Sequence, residues 1–437
     1  MGITLDKIYR ASVEGKLLNK AVQYIQKLPK KTVAALDSRI GDVVRKNYLG
    51  KLPINDKQIM FISFQGDYAC NPKYISQELL KRNLPYTYVF SARRASLNKA
   101  DAFPGGGNVK LVEQYSADYY EAIATSKVIV ANSVEFYKKP VPKRMGQYLI
   151  ETWHGSLGIK KFGRNDYKSS EAWMRAADLC GKNADYIISN STFEDQVYRE
   201  TYWPFTRIMK YGHARNDILL NSDPELVKSI RFKVKEYAND LPSVDKSLID
   251  SMDEAHYVLY APTFRDDHKF APYNVNFDLL TDALSKRFGG VWRVLIRLHP
   301  TVRKEASKYL AGNPYIINVT SYPDIQELLL ISDAAITDYS SWIYDYMLTR
   351  KPGFIYATDV DMYSNERGLY FPLRSTPFPV AANNRELIEN IMNFDQDKYE
   401  KGVSAFLEGK GCMEDGHASE RAADLICQLV DGQKPNT

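Results

Sequence analysis

Two histidines follow apolar stretches of the chain, at positions where an imidazole could do chemistry. His154 comes after residues 148–152 and precedes Gly155, and His299 comes directly after residues 294–298. An imidazole changes charge near neutral pH, so it can accept a proton from an attacking hydroxyl or donate a hydrogen bond to a phosphate oxygen. A neighbouring glycine lets a substrate approach the backbone closely. The alternative for His299 is a structural role, in which the ring satisfies a buried carbonyl.

A run of polar side chains marks a second candidate site. Asp338, Ser340 and Ser341 stand between the apolar residues 334–337 and a helical stretch that starts at Trp342. Backbone N–H groups at the start of a helix attract anions, and serine hydroxyls add donors, so this segment could hold a phosphate. Asp and Ser are also ordinary helix caps, which is the alternative interpretation.

Further candidates are cationic or polar residues next to the same kind of apolar run. Arg265 and Thr263 follow residues 257–260, and the fork of a guanidinium matches the geometry of a diphosphate. Arg297 lies two residues before His299. Residues 212–217 add three side chains that would equally suit a loop with a helix cap: Arg215, Asn216 and Asp217.

Patterns that could bind a metal ion are weak in this sequence. Asp359 and Asp361 match a D-x-D pattern that arises often by chance, and the adjacent residues 265–268 would rarely converge on one ion. The cysteines lack C-x-x-C spacing: Cys70, Cys180, Cys412 and Cys427. We therefore predict no metal site, no disulfide framework and a reducing compartment. The sequence has neither a Walker A motif nor a dinucleotide fingerprint.

Short apolar runs alternate with helical stretches from about residue 55 onwards. Uninterrupted apolar runs are typical of parallel strands that are covered on both faces. Ten strands are predicted, at residues 59–64, 86–90, 127–131, 148–152, 186–189, 257–260, 294–298, 316–319, 334–337 and 354–356. The pattern predicts an α/β chain with two Rossmann-like domains that face a central cleft. Ligands of such sheets bind beyond the carboxyl ends of the strands, where the candidate residues lie.

Changes in composition predict four segments along the chain. In residues 1–50, ten Lys or Arg stand against four Asp or Glu, and apolar residues recur at helical spacing. We expect residues 1–54 to form a basic amphipathic helical segment, which could lie on an anionic membrane or pack on its own domain. Rossmann-like domains would follow at 55–221 and, after a helical linker at 222–253, at 254–437 with C-terminal helices. No apolar run approaches the roughly 20 residues that cross a bilayer, so we expect neither a secreted nor an integral membrane protein.

Seven motifs occur together along residues 55–425. They are N-P-K-Y at 71–74, T-W-H-G at 152–155 followed by K-K at 160–161, G-H-A-R-N-D at 212–217, A-P-T-F-R at 261–265, R-L-H-P at 297–300, T-D-Y-S-S at 337–341 and R-G-L-Y-F at 367–371. As an ordered set they resemble the CDP-glycerol glycerophosphotransferase family of bacterial teichoic acid and capsule polymerases and primases. Two prolines that are frequent in the family, in W-H-G-T-P-L and G-x-P-R-N-D, are absent here, which makes the acceptor-side loop less predictable.

The resemblance implies a GT-B-like fold, with an N-terminal acceptor domain and a C-terminal domain that binds the CDP donor. His154 would be the catalytic base, His299 would contact the donor pyrophosphate, and the serines would bind phosphate at a helix start. The predicted reaction passes glycerol phosphate from CDP-glycerol to a hydroxyl acceptor and releases CMP. The predicted substrate-binding residues are Gly155, Arg215, Asn216, Asp217, Thr263, Arg265, Arg297, Asp338, Ser340 and Ser341.

The predicted partners follow from the same resemblance. They are CDP-glycerol or a related CDP-polyol and a lipid-linked or polymeric saccharide acceptor, with no nucleic acid. No cofactor is required, and Mg²⁺ carried by the nucleotide is compatible with the prediction. The expected location is the bacterial cytoplasm, with peripheral contact of residues 1–50 to the inner face of the membrane. A CDP-ribitol donor, a nucleotide-sugar glycosyltransferase of GT-B fold and a non-catalytic scaffold are the alternatives.

Overall fold

The first parallel sheet lies in the N-terminal half of the protein. The computed structural model describes residues 5–14, 41–97, 102–134, 143–158, 160–166, 169–241, 246–263, 274–298, 313–359, 368–433 and 435. The sheet contains β1 (Asn55–Ile62), β2 (Thr87–Ala92), β3 (Val109–Glu113), β4 (Ser126–Ala131), β5 (Tyr148–Glu151), β6 (Tyr186–Ser189) and β7 (Arg207–Lys210). Its order is β3-β2-β1-β4-β5-β6-β7, with every pair parallel. At its centre Ile59 stands between Tyr88 and Val128.

The second parallel sheet repeats this arrangement in the C-terminal half. It contains β8 (His256–Tyr260), β9 (Trp292–Ile296), β10 (Ile316–Asn318), β11 (Ala334–Thr337), β12 (Gly353–Tyr356) and β13 (Val380–Ala381). Its order is β10-β9-β8-β11-β12-β13. In both sheets the first strand lies inside, so the strand order reverses next to it, between β1 and β4 and between β8 and β11. Such switch points are where open α/β sheets bind ligands.

Helices connect the strands and cover both sheets. In the N-terminal half and the connection between the sheets they are Leu5–Val13, residues 41–49, Cys70–Lys81, Ala117–Thr125, Glu171–Asn183, Thr192–Glu200, Asp217–Leu220, Pro224–Asn239 and Lys246–Asp250. In the C-terminal half they are Phe277–Phe288, Ile325–Ile331, Trp342–Met347, Asn384–Met392, Gln396–Gly409 and Ala418–Val430. The predicted α/β class with two Rossmann-like sheets is confirmed.

The final helix, Ala418–Val430, packs on the first sheet although it follows the second in sequence. Leu425, Ile426 and Leu429 are buried in one cluster with residues of the first sheet and of helix Cys70–Lys81. The helix covers an apolar sheet face that water would otherwise reach. The C-terminal helices were predicted with the domain at 254–437, and this one is buried against the first sheet.

The helix Leu5–Val13 packs on its own half of the protein. Tyr9 is fully buried and donates a hydrogen bond of 2.7 Å to the carbonyl of Ala117, and Arg10 pairs with Asp118 at 2.9 Å. The helix Leu5–Val13 therefore packs on its own domain, which is the second of the two roles considered for the N-terminal segment. Residues 15–40, which carry most of its basic excess, lie outside the described residues. No helix within the described part of the chain has the length and apolar character needed to cross a membrane.

Candidate functional site

A cleft of about 600 Å³ opens between the two halves, and its walls are the segments that follow the inner strands. Residues after β1, β2, β4 and β5 line one side, and residues after β8, β9, β10 and β11 line the other. The lining includes Phe64, Arg93, Asn132, His154, Lys160, Arg215, Thr263, Arg297, Leu298, Ser340 and Ser341. The cleft is therefore built at the switch points of both sheets, and its volume lies within the roughly 300–1,000 Å³ of small-molecule sites.

His154 lies on the wall of this cleft with its ring orientation fixed on two sides. Its Nδ1 is 2.6 Å from the backbone carbonyl of Asn132, and its ring stacks on Phe64 with centroids 5.3 Å apart. A carbonyl oxygen can only accept a hydrogen bond, so Nδ1 must carry the hydrogen and, in the neutral ring, Nε2 holds the lone pair. An exposed imidazole in this tautomer is suited to accept a proton at Nε2.

The loop that carries His154 is held by side chains from other elements. Trp153 has a φ of 51°, in the left-handed region that is costly for a residue with a side chain. Asn71 donates to the carbonyls of Thr152 at 2.9 Å and of Trp153 at 3.2 Å. A buried Arg215 donates to the carbonyl of Gly155 at 2.9 Å. Several bonds thus determine a backbone conformation that the sequence alone would not favour.

Arg215 is the centre of a buried polar cluster that joins the two halves. Its Nε lies 2.9 Å from Asp345, in the helix Trp342–Met347, and its backbone N–H donates to Asn71 at 3.1 Å. Burial alone would lower the pKa of Arg215, but Asp345 outweighs it and holds the pKa above its usual value. Arg215 also lines the cleft, and its binding of substrate stays a prediction.

Asn216 and Asp217 lie outside this cleft lining and have structural partners. Asn216 is fully buried and donates to Asp345 at 3.1 Å and to Glu414 at 2.8 Å. Asp217 accepts from the backbone N–H groups of Ala418 at 3.0 Å and of Ser419 at 2.7 Å, so it caps the final helix. Both were predicted to bind substrate, and the structure instead gives them these structural contacts.

Behind the opposite wall of the cleft, the carboxylate of Asp338 connects two loops. Its carboxylate accepts from the backbone N–H of Thr263 at 2.8 Å and of Tyr339 at 2.6 Å, and only 2% of the residue is exposed. It therefore positions Thr263 and the serine segment, and its predicted contact with substrate stays a prediction. Ser340 and Ser341 line the cleft immediately before the helix Trp342–Met347. A Cβ on Gly155 would lie 3.8 Å from Ser341 Oγ, so the two walls meet closely here.

Cationic groups surround the cleft. Arg297 donates to the carbonyls of Tyr322 and Pro323 beyond β10, and burial lowers its pKa. Lys160 lies 3.4 Å from Thr263 Oγ1 across the cleft. Arg93, which follows β2, pairs with Asp67 at 2.8 Å. Positive charge on both walls suits an anionic ligand.

His299 and Arg265, two of the predicted site residues, lie outside the described residues. Leu298, which precedes His299, lines the same cleft as His154. Within the described ranges, no group of three His, Cys, Asp or Glu side chains could hold a metal ion. Sequence reasoning assigned no role to Phe64, Arg93 or Asn132. For Asn132 the available signal was its position directly after the predicted strand 127–131. Phe64 was predicted inside the strand 59–64, whereas β1 ends at Ile62, and β2 extends beyond its predicted end to the residue before Arg93.

A smaller cavity of about 200 Å³ adjoins the cleft at the same residues. The two share His154, Lys160, Ser340 and Ser341. The smaller cavity is rich in aromatic side chains, with Trp153, Phe162, Phe193, Tyr198 and Tyr370 in its walls. His154 and the serines therefore lie at the boundary between a polar compartment and an aromatic one.

Two bacterial proteins of known role are similar to this chain over most of its length. The teichoic acid poly(glycerol phosphate) polymerase of Staphylococcus epidermidis is 31% identical over 400 residues, which cover 87% of this chain and 52% of that protein. The teichoic acid glycerol-phosphate transferase of Staphylococcus aureus is 28% identical over 406 residues, which cover 87% of this chain and 94% of that protein. The chain spans about half the length of the polymerases of S. epidermidis and Bacillus subtilis.

Solved structures agree with the sequence relatives. The wall teichoic acid polymerase TagF superposes with a TM-score of 0.74 at 26% identity, over 96% of this chain and 98% of that one. A TagF variant soaked with CDPG superposes with a TM-score of 0.73. A putative UDP-N-acetylglucosamine 2-epimerase from Listeria monocytogenes, at 14% identity and a TM-score of 0.50 over 88% of this chain, shares only the fold. The sequence profile of the family described as CDP-Glycerol:Poly(glycerophosphate) glycerophosphotransferase matches residues 46–428. The chain therefore belongs to this family.

Proposed function

We propose that the protein transfers glycerol phosphate from CDP-glycerol to a hydroxyl acceptor in the synthesis of a teichoic acid or a related capsular polymer. Family membership and relatives named for glycerol phosphate transfer support this activity. The acceptor oxygen attacks the β-phosphorus, the bond from that phosphorus to the CMP oxygen breaks, and CMP leaves. The acceptor proton passes to the enzyme, and the product is a phosphodiester.

The observation that carries this proposal is the placement of His154. Its Nδ1–H is held by the carbonyl of Asn132 at 2.6 Å, so Nε2 is the atom that would take the acceptor proton. His154 also shares both cavities with Ser340 and Ser341, at whose helix start the phosphate would lie. Phosphoryl transfer requires a base near a group that binds the phosphate, and both lie where the cleft meets the smaller cavity.

Charge that develops on the diphosphate would be stabilised by the cationic groups of the cleft. Lys160, Arg93 and Arg297 lie in its walls, and we propose that His299 and Arg265 complete this set. Preorganised cations and helix N–H groups can supply this stabilisation without a resident metal ion. Mg²⁺ carried by the nucleotide is compatible with the arrangement.

The donor is tested by comparing nucleotides. Purified protein is incubated with CDP-glycerol, CDP-ribitol and several UDP-sugars, together with a lipid-linked saccharide acceptor, and nucleotide release and product mass are measured. We expect CMP release and a mass gain of one or more glycerol phosphate units with CDP-glycerol. Relatives named as ribitol-phosphate primase and poly(ribitol-phosphate) polymerase, at 27% and 26% identity, make CDP-ribitol the second candidate. Turnover with UDP-sugars alone would overturn the proposal in favour of a glycosyltransferase.

A further inference from the structure

The small aromatic cavity is not required for binding the donor, because the larger cleft can hold the nucleotide by itself. It is about one third as large as the cleft, and it lies below the range of cavities that hold a whole drug-sized ligand. The polar cleft, with Arg93, Arg297 and Thr263, has the size and charge for a nucleoside diphosphate. The small cavity has room for a single polyol or sugar unit.

The reaction geometry gives the two compartments different tasks. In phosphoryl transfer the attacking and leaving oxygens lie roughly in line, on opposite sides of the phosphorus. If the phosphorus lies at Ser340 and Ser341 and CMP fills the polar cleft, the attacking hydroxyl must arrive from the other side. The small cavity opens at the same serines and at His154, the proposed base.

The walls of the small cavity suit the end of a hydroxylated chain. Phe193 and Tyr370 meet edge to face, with centroids 5.7 Å apart, and offer apolar surface to the C–H groups of a polyol or sugar. Glu194, a further wall residue, is buried and accepts hydrogen bonds from His213 and from the backbone of Asn190. A carboxylate repels phosphate and accepts hydroxyl donors. Lys160 supplies positive charge where the cavity meets the cleft.

We propose that this cavity, lined by Phe193, Glu194 and Tyr370, is the acceptor subsite and holds the hydroxyl-bearing terminal unit of the acceptor. The inference rests on the proposed function, because the direction of attack is taken from the phosphoryl transfer. The terminal unit stacks on the aromatic walls, and its reacting hydroxyl points at His154. The backbone phosphate of a growing polymer would then lie toward Lys160.

The test measures acceptor and donor parameters separately. Tyr370→Leu and Phe193→Leu remove an aromatic face, Tyr370→Phe keeps it, and Phe232→Leu, at a residue 65% exposed and lining neither cavity, is the matched control. The probes are a glycerol phosphate dimer and a lipid-linked disaccharide, so the two arms separate a polymer end from a priming end. The readouts are KM for each acceptor, kcat, the Kd of CDP-glycerol, and calorimetric binding of each acceptor probe without donor.

We expect the two leucine variants to raise KM for one acceptor at least tenfold, to change kcat by less than threefold and to leave the Kd of CDP-glycerol unchanged. Phe232→Leu should behave like the natural protein, and Tyr370→Phe, which keeps the ring but loses the hydroxyl that accepts from Asn165, should raise this KM less than Tyr370→Leu does. A weaker Kd for CDP-glycerol with unchanged acceptor KM would overturn the subsite, as would equal losses in all parameters or none. Absence of CMP release by the natural protein would instead contradict the proposed function, and acceptor binding by calorimetry would still decide the subsite.

Discussion

At the scale of single residues, His154 combines a structural contact with exposure to the cleft. One ring nitrogen satisfies a backbone carbonyl, as a structural histidine would, while the ring itself lies exposed on the cleft. The carbonyl belongs to Asn132, at the end of the neighbouring strand β4. A partner 22 residues away cannot be identified from the sequence around His154.

Replacement of His154 tests the proposed base directly. His154→Ala should lower kcat by about 10²–10⁴-fold, the usual contribution of a positioned general base. The fold should be retained, because the side chain is exposed and fills no core position. Steady-state kinetics and a thermal melt are the measurements, with His417→Ala as a matched exposed histidine beside Glu420. A kcat within threefold of the natural protein would remove His154 from the reaction.

Glu151, at the end of β5, should make stability depend on pH. Burial raises its pKa to about 8, although the backbone N–H of Trp153 donates to it at 2.9 Å. An unfolded glutamate titrates near pH 4.3, so the folded state binds the proton more tightly, and stability should fall as pH rises from about 4.3 to 8. Glu151→Gln lacks this proton and should remove that slope.

At pH 9 the free energy of unfolding of Glu151→Gln should exceed that of the natural protein by at least about 1 kcal/mol. At pH 5 the two proteins should be equally stable. Urea unfolding at both pH values measures it. Glu171→Gln, at an exposed ion pair with Arg175, serves as the control and should change little at either pH. Parallel pH profiles for Glu151→Gln and the natural protein would show that Glu151 is ionised in the fold.

The sequence identified candidate residues by type, and their tasks depended on partners far along the chain. Asp338 and Asp217 have the side chains that bind substrates in many enzymes, yet both accept backbone N–H bonds here. The partner of Asp217 lies 201 residues away, at the start of the final helix. The chemistry of a carboxylate therefore follows from its hydrogen-bond partners, which only the folded chain supplies.

At the scale of elements, strands were predictable where both faces are covered. β4, β8 and β11 are buried along nearly their whole length and appear as uninterrupted apolar runs. β3 and β7 were missed because they form the edges of the first sheet, where exposed and half-buried positions admit lysine, arginine and glutamate. β13, with two residues, is too short to give a pattern. β10 is also an edge strand, but it is largely buried and was predicted, so exposure of the strand rather than edge position removes the apolar signal.

Asn71 joins three elements, and its replacement should show how much the His154 loop depends on them. Its amide group donates to the carbonyls of Thr152 and Trp153, and its oxygen accepts from the N–H of Arg215. Asn71→Ala leaves these buried groups without a partner, so we expect a loss of about 1–3 kcal/mol in the free energy of unfolding. It should also lower kcat at least tenfold, because the conformation of Trp153 is no longer held.

The measurement for Asn71→Ala combines urea unfolding with kcat and the Kd of CDP-glycerol. Asn390→Ala removes one bond of 3.2 Å to the carbonyl of Val380, beside the last strand of the second sheet, and is the control. That variant should keep its turnover. A tenfold loss of kcat in the Asn390 variant as well, or none in the Asn71 variant, would contradict a specific effect on the loop.

At the scale of the whole molecule, the two halves are joined by a buried ion cluster. Lys73, in the helix Cys70–Lys81, lies 2.6 Å from Asp324 and 2.6 Å from Glu327 of the other half, and Lys233 also contacts Glu327. Lys73 and Glu327 are 254 residues apart in sequence. The motif N-P-K-Y signalled that Lys73 matters, but only the folded chain shows that it bridges the halves.

The ion cluster should stabilise the fold above an acidic threshold. Burial alone would raise the pKa of Glu327, but Lys73 and Lys233 outweigh it and lower the pKa to about 2. Because an unfolded glutamate titrates near pH 4.3, this contribution is present above about pH 4.3 and is lost as pH falls toward 2. Lys73→Met should lower the free energy of unfolding by about 3–5 kcal/mol at pH 7, because the buried carboxylates then have less positive charge beside them.

Unfolding in urea at pH 7 and pH 3 tests this prediction. The difference in the free energy of unfolding between Lys73→Met and the natural protein should be smaller at pH 3 than at pH 7. Lys235→Met, at a pair with the exposed Asp253, is the control and should cost no more than about 1 kcal/mol. An equal cost for Lys73→Met at both pH values would assign the loss to packing of the lysine stem.

Attachment of the whole protein to a membrane is the remaining prediction, and it depends on the basic N-terminal segment. We propose that the basic residues of this segment outside the packed helix Leu5–Val13 bring the enzyme to the anionic inner surface of the membrane, where a lipid-linked acceptor would lie. Each lysine near such a surface contributes about 1 kcal/mol and loses it when salt screens the charge. Five lysines occur between residues 16 and 31: Lys16, Lys20, Lys27, Lys30 and Lys31. Replacing all five with glutamine should lower binding to vesicles of 30% phosphatidylglycerol at least a hundredfold, as co-sedimentation measures.

The matched control for the lysine variant changes five exposed lysines of the folded body to glutamine: Lys57, Lys81, Lys228, Lys286 and Lys401. This control carries the same net charge, so a difference between the two variants reports the position of the charges. Turnover with a short water-soluble acceptor should be equal in both, because the cleft is unaltered. Equal vesicle binding by the two variants would mean that overall charge alone draws the protein to the lipid. Strong binding by both in 0.5 M salt would point to an apolar contact, and either result would refute an electrostatic N-terminal attachment.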